Sequence, residues 1–232
     1  QFQSKTADYL VDAIEDLRKE NDGKLEGLVL DLRNNGGGLL NQSLKVTDLF
    51  LDEGKILSIK GRNSKNTKEF NASASSEKRS YPLVVLINAG SASASEIVAG
   101  ALQDHKRALI LGTTSFGKGS VQTIIALANG AGLRMTTARY FTPNGRSIQA
   151  EGIVPDIELG NVRLTAGEDS SARLKEADLA GHLSNPEDNG ETSEKGEESA
   201  AKTDEDAADT DYALSEALNL LKGLAILRPT ST

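Results

Sequence analysis

The run Pro82-Leu-Val-Val-Leu-Ile-Asn88 constrains the fold more than any other stretch of this chain. Five consecutive apolar residues, three of them β-branched, are too few for a buried helix and lack the alternation of a strand with one wet face. Such a strand is covered on both faces, the situation of a parallel sheet carrying helices. The small residues Ala89-Gly-Ser-Ala-Ser-Ala-Ser95 follow, and then Ile97, Val98, Ala101 and Leu102 recur at helical spacing. A buried strand therefore turns abruptly into a helix.

The same alternation runs along the chain. Leu10, Val11, Ile14 and Leu17 predict an amphipathic helix over Thr6 to Asn21, stopped by Asp22-Gly23. Leu28 to Leu32 reads as a short strand that enters Asn34-Asn-Gly-Gly-Gly38, and a helix follows to about Leu51. Lys55 to Gly61 and Lys68 to Asn71 read as edge strands, and Arg107 to Leu111 as another buried strand. Val121 to Leu127, turned by Asn129-Gly130, pairs with Gly132 to Phe141 as a hairpin. The fold class is α/β, with no internal repeat.

A chain of 232 residues that is 38% hydrophobic can hold one good-sized core with an appendage. Its net charge of −8 is uneven: residues 166–211 hold fifteen acidic and four basic residues, a net of −11, which leaves +3 for the rest. That tract has too few large apolar residues to offset ordering entropy and reads as a disordered acidic linker, solvated rather than partner-binding. The expected organisation is a core over 1–165, the linker over 166–211, and a helix over 212–228. Tyr212, Leu214, Ala217, Leu218, Leu221 and Leu224 give that helix an apolar face for docking back. The absence of cysteine excludes disulfides, thiolate zinc sites and cysteine nucleophiles. The body has no basic aromatic patch for nucleic acid, and no stretch nears the roughly 18 apolar residues of a membrane helix. A first residue of Gln rather than Met reads as a fragment or a processed form.

Two segments could carry chemistry. Gly112-Thr-Thr-Ser-Phe-Gly-Lys-Gly-Ser120 resembles a phosphate-binding loop, but Gly119 stands where the metal-binding hydroxyl belongs, and a strand rather than a helix follows. Lys118 then needs another role. The second segment is the serine-rich turn. Ser93-Ala-Ser-Glu96 fits a capping box, yet three serines among small residues at a helix N-terminus also leave room for a substrate backbone beside amides suited to an oxyanion. A serine nucleophile needs a base. His182 lies in the acidic tract, and His105 is twelve residues beyond Ser93 on one helix, about 18 Å away at ~1.5 Å per residue. A lysine kept neutral by an apolar pocket remains, and Lys118, after a buried strand, is that candidate.

The blocks LVLDLRNNGGGLL, LVVLINAGSASASEIVAGALQD, GTTSFGKGSVQT and TTARYFTPNGRSIQAEGIVPDI, in this order and spacing from about Gly27 to Leu159, resemble the carboxy-terminal processing proteases, the tail-specific serine peptidases with a Ser-Lys dyad. The resemblance implies a ClpP/crotonase-like core and cleavage of proteins near their C-termini through an acyl-enzyme. It implies Ser93 as nucleophile, Lys118 as base and Gln122 as the residue orienting the lysine. The amides of Gly38 and Ala94 would form the oxyanion hole, with Gly37 equally placed by register, and Glu96 would support the site. Protein or peptide substrates with accessible C-termini are the implied partners, with no cofactor, metal or nucleic acid. A homo-oligomer is compatible, and the implied location is the cell envelope or periplasm. Such proteases carry a PDZ domain ahead of the core, and this chain starts too late to contain it. The first glycine of the Gly36-Gly37-Gly38 run stands where many relatives have proline.

The other residues read as structural. Asp31 and Arg33 form a pair at a strand end, Leu133, Met135 and Phe141 belong to the core or line a groove, and Pro143-Asn-Gly145 is a turn. A peptide-binding scaffold of the same fold without catalysis and a nucleotide-binding protein are the competing readings. Replacing residues 167–209 by a short linker is expected to leave thermal melting nearly unchanged. A loss of about 2 kcal/mol or more, the scale of a buried core side chain, would show that the tract is ordered.

Overall fold

The computed structural model describes residues 1–63, 67–74, 79–160 and 211–227. In chain order the elements are α1 (Thr6–Glu20), β1 (Leu28–Asp31), α2 (Leu40–Asp48), β2 (Lys55–Gly61), β3 (Thr67–Asn71), β4 (Leu83–Ile87), α3 (Ala94–Asp104), β5 (Leu109–Gly112), β6 (Ser120–Ala126), β7 (Gly132–Phe141), β8 (Ile157–Glu158) and α4 (Tyr212–Leu227). The described residues up to 160 and from 213 onward belong to one compact unit. The tract read as an acidic linker lies outside the described residues apart from Asp211.

The all-apolar run is β4, the inner strand of a parallel sheet ordered β1-β4-β5-β8. Leu28 pairs with Leu83 and Asp31 with Leu86 on one side, and Val84 with Leu109 through Ile87 with Gly112 on the other. Side chains alternate across a strand, so β4 feeds two cores. Leu83, Val85 and Ile87 join Ile110 beneath α3, where Ile97, Val98, Ala101 and Leu102 are buried with Ala7 and Ile14 of α1 and Val46 of α2. Val84, Leu86 and Leu111 face the other way and are covered by Ala217 and Leu221 of α4. Gly27 permits that docking, since a Cβ there would fall 2.9 Å from a Leu221 methyl.

The second sheet is antiparallel and ordered β3-β2-β7-β6. The sequence suggests two edge strands over residues 55–61 and 68–71, but only β3 is an edge. The far end of β7, Ala138 to Phe141, pairs along β2 and makes it internal. Toward their turn, β6 and β7 have no such neighbour among the described residues. Leu133 and Met135 are therefore exposed and Phe141 is half-buried, so none of the three is a core residue.

Parallel strands place their carboxyl ends together, which is where open α/β sheets form their sites. Here the loops after β1, β4 and β5 emerge at one end, bringing residues 32–39, 88–93 and 113–119 into reach of one another. Leu221→Ala should lower unfolding free energy by about 2–4 kcal/mol in urea denaturation, the range for truncating a buried leucine. A loss under about 0.5 kcal/mol would mean that α4 does not hold this face of the sheet.

Candidate active site

The turn from β4 into α3 separates the three serines. Ser91 and Ser95 are fully buried and committed to backbone. The Ser91 hydroxyl accepts the Asn88 N–H at 3.0 Å and donates to the Leu32 carbonyl at 2.7 Å, while Ser95 donates to the Asn35 carbonyl at 2.8 Å. Ser93 is half-exposed, at φ 56° and ψ −110°. A β-carbon residue at positive φ costs of order 1–3 kcal/mol and persists only where its surroundings over-determine it. The surroundings do so here: the Ala92 N–H donates to the Asn35 carbonyl at 3.0 Å, so Asn35 grips the turn on both sides of Ser93.

The glycine run after β1 lies against this turn. A Cβ on Gly37 would stand 2.6 Å from the Ala92 carbonyl oxygen and 2.9 Å from both the Ala94 nitrogen and the Ser93 Cβ, so no other residue fits. Gly38, at φ 146°, bridges to Phe2, whose N–H donates to the Gly37 carbonyl and whose carbonyl accepts from Leu39. The Gly37 N–H is already taken by the Asn35 side-chain oxygen at 3.1 Å. The N–H groups of Gly38 and Ala94 have no acceptor among the described residues.

Glu96, at 1% exposure, joins this turn to the loop that follows β5. Its Oε2 accepts the Ser93 N–H at 2.7 Å and the Lys118 N–H at 2.9 Å, and its Oε1 accepts the Ser115 hydroxyl and the Gly117 N–H, each at 2.6 Å. Two bonds to each oxygen fill the lone-pair sites of a carboxylate. The amide nitrogens of Ser93 and Lys118 are thus no more than about 5.6 Å apart, the two bonds laid end to end. Ser115 also holds Ile153 by accepting its N–H at 2.7 Å, and the Gly119 N–H donates to Gln149 Oε1 at 3.2 Å. A Cβ on Gly119 would meet the Gln149 nitrogen at 2.5 Å, which explains the glycine after Lys118. Tyr140 donates its N–H to the Gly119 carbonyl at 2.7 Å, and burial pushes its phenol up, keeping it neutral.

Lys118 departs from the expectation of an apolar pocket. Its side chain is exposed, and its ammonium has no hydrogen bond or ion pair among the described residues. The reason is topological: the chain leaves the covered parallel sheet at Gly112 and enters β6, the outer strand of the second sheet. Gln122 is exposed on that strand, opposite Thr136, beside a register shift that leaves Thr137 without a register partner on β6. The loop before β6 opens a strand and not a helix, so it lacks the helix N-terminus of a phosphate loop. His105, at the end of α3, contacts the Lys55 carbonyl at 2.6 Å through Nε2, and Asp31 and Arg33 form the bidentate pair read from the sequence. Among the described residues no cluster of His, Asp and Glu could hold a metal ion.

Fold and turn together define an α/β protein with a strained serine at the carboxyl end of its parallel sheet, flanked by glycine amides. Residues 1–159 match Peptidase family S41, and the chain belongs to that family. It is similar to the carboxy-terminal-processing protease of Bartonella bacilliformis, 49% identical over 224 residues that cover 96% of this chain and 50% of that protein. It is 40% identical over 183 residues to the chloroplastic C-terminal processing peptidase of Tetradesmus obliquus, covering 78% of this chain and 38% of the other. Among solved structures, the photosystem II D1 C-terminal processing protease superposes with a TM-score of 0.62 at 43% identity, over 68% of this chain and 40% of that one. The chain spans half or less of the length of these relatives.

Asn35, Ser115 and Gln149 were not singled out by sequence reasoning. Each holds backbone and carries no motif of its own, and a polar residue between glycines or turns is the only signal. Glu96→Gln should lower stability by about 2 kcal/mol or more in urea denaturation, because an amide NH2 would face two buried donors. Loss of less than about 0.5 kcal/mol would show that the four bonds do not hold this site together.

Proposed function

We propose that this chain is the catalytic part of a serine peptidase that cuts protein substrates near their C-termini, with Ser93 as nucleophile and Lys118 as its base. The observation that carries the reading is the single Glu96 oxygen shared by the Ser93 and Lys118 amides, which keeps the two residues together. Ser93 is also the one serine of the turn whose environment leaves it half-exposed and strained. In this reading the Ser93 hydroxyl attacks the scissile carbonyl as its proton passes to Lys118 Nζ. The carbonyl oxygen becomes an oxyanion held by the Gly38 and Ala94 amides, which have no other acceptor among the described residues, whereas Gly37 is occupied by Asn35. Collapse releases the C-terminal fragment, which takes the proton, and water then hydrolyses the acyl-enzyme. Gln122, two residues into β6, would orient the lysine, and a peptide lying over the loop would strip water from the amine. The cell-envelope or periplasmic setting implied by the resemblance belongs to the same reading.

One observation favours a second reading, a peptide-binding scaffold without catalysis: the Lys118 ammonium stands exposed and unbonded to Ser93 among the described residues. A fluorophosphonate probe separates the two. On the complete protein it should label Ser93 and neither Ser91 nor Ser95. Ser93→Ala and Lys118→Ala should each reduce cleavage of a C-terminally tagged unfolded substrate by 10³-fold or more, on the scale of losing a nucleophile or its base. Unlabelled Ser93 would leave the scaffold reading standing, whereas turnover that survives Lys118→Ala would show catalysis without Lys118 as its base.

A further inference from the structure

We propose that Gln149 is a positioning residue for Lys118: its side-chain oxygen fixes the peptide plane that follows the lysine, and so the direction in which that side chain leaves the backbone. The inference rests on the peptidase reading above and adds to it the group that aims the base.

Lys118 is exposed, and its ammonium has no hydrogen bond or ion pair among the described residues, so no such contact aims it. The aim then comes from the backbone. Peptide groups are planar, and the bond from Cα to Cβ follows from the two planes that meet at Cα. The plane before Lys118 is gripped at both ends: the Lys118 N–H donates to Glu96 Oε2 at 2.9 Å, and the Gly117 carbonyl accepts the Ala150 N–H at 2.9 Å. The plane after it has a single tie. The Gly119 N–H donates to Gln149 Oε1 at 3.2 Å, and the Lys118 carbonyl accepts no bond among the described residues. The chain is held again where the Gly119 carbonyl accepts the Tyr140 N–H at 2.7 Å, but a glycine between the two bonds leaves the plane free to rotate once Gln149 lets go.

The segment that carries Gln149 is held without help from that side chain. Ile148 and Ile153 are each 1% exposed and belong to the larger core. Ser115 and Ile153 exchange two bonds, the Ser115 N–H donating to the Ile153 carbonyl at 3.1 Å and the Ile153 N–H to the Ser115 hydroxyl at 2.7 Å. Between the two isoleucines the chain turns back, with the Gly152 N–H donating to the Ile148 carbonyl at 3.0 Å. Ala150 stands in this turn at φ 66°, a conformation that a residue with a Cβ keeps only where its surroundings impose it. The turn therefore presents the half-buried Gln149 to Gly119 as a fixed acceptor. Removing the carboxamide deletes one bond and leaves the turn in place.

The test compares Gln149→Met, which keeps the length and removes the acceptor, with Gln149→Glu, which keeps an acceptor, in the complete protein and at each variant's pH of maximal activity. Gln149→Met should lower kcat on a peptide substrate by about tenfold or more with KM within about twofold, the pattern of a misplaced catalytic group. Gln149→Glu should stay within about threefold of the unaltered protein, since it preserves the bond to Gly119. Amide hydrogen exchange supplies a second readout: in Gln149→Met, Gly119 should lose protection while Gly117 and Lys118 keep theirs. In Lys118→Ala protein, adding Gln149→Met should change the residual fluorophosphonate labelling of Ser93 by less than about twofold, because a residue that acts through the lysine has nothing left to aim. An equal fall in both backgrounds, or exposure of the Gly117 and Lys118 amides as well, would make Gln149 a general support of the loop and overturn the proposal. A Glu variant as slow as the Met variant would overturn it too, as would full kcat in a Met variant whose Gly119 amide exchanges freely. Unaltered protein that neither labels nor cleaves would sink the peptidase reading instead, and the Gly119 amide would still report whether Gln149 holds the plane.

Discussion

The Glu96 carboxylate is the interaction on which the rest of this site depends. It sits in the first turn of α3 with almost no solvent contact, and it accepts two bonds from the Ser93 and Lys118 amides and two from Ser115 and Gly117. A buried carboxylate is tolerable only when its acceptor sites are filled, and here they are filled by two different loops. The same satisfaction that makes the burial tolerable therefore locks the serine turn to the lysine loop. Glu96 caps its own helix and also clamps a neighbouring segment, a joint role that a single capping box does not require.

Around this clamp the loops are laced by short polar residues acting on backbone. Asn35 grips Ala92 and Ser95 with one carbonyl and closes onto Gly37 with its side chain. Ser91 ties the turn to the end of β1 through the Leu32 carbonyl. Asn88 accepts the Asn34 and Gly90 amides with its side-chain oxygen. These bonds hold Ser93 at positive φ, half-exposed at the N-terminus of α3. They also sort the glycine amides, since the one turned toward Asn35 is consumed while its neighbour is left open. Rigid backbone around an open donor is what stabilisation of a developing negative charge requires.

Much of the framework was legible in the chain because burial and periodicity are local properties. The β4 run announced a doubly covered strand, the four-residue spacing of Ile97, Val98, Ala101 and Leu102 announced α3, and Asn129-Gly130 announced the β6–β7 hairpin. Ser93 and Glu96 could be read as a capping pair from their spacing alone. Other features were not legible. β2 looks like an edge strand because nothing in residues 55–61 says that β7 will pair beside it. Leu133 and Met135 read as core or groove-lining residues, and the structure leaves both exposed on the hairpin, which rules out the core. Lys118 follows a buried strand in sequence and still ends up exposed, because its loop crosses from a covered sheet to the outer strand of another.

The sequence by itself determined the elements, the α/β class, the strand-to-helix turn that presents Ser93, and the small residues that let the glycine run approach it. These depend on side-chain size, branching and spacing within a few residues. Only the tertiary structure decided that one carboxylate would serve both Ser93 and Lys118, that Gly37 rather than Gly38 would be occupied, and that Lys60 would face Arg139. Each of these joins segments tens of residues apart or turns on which way a backbone amide points. Such relations are set by how parallel strands gather their carboxyl ends and how antiparallel strands choose their register, and no local pattern encodes them.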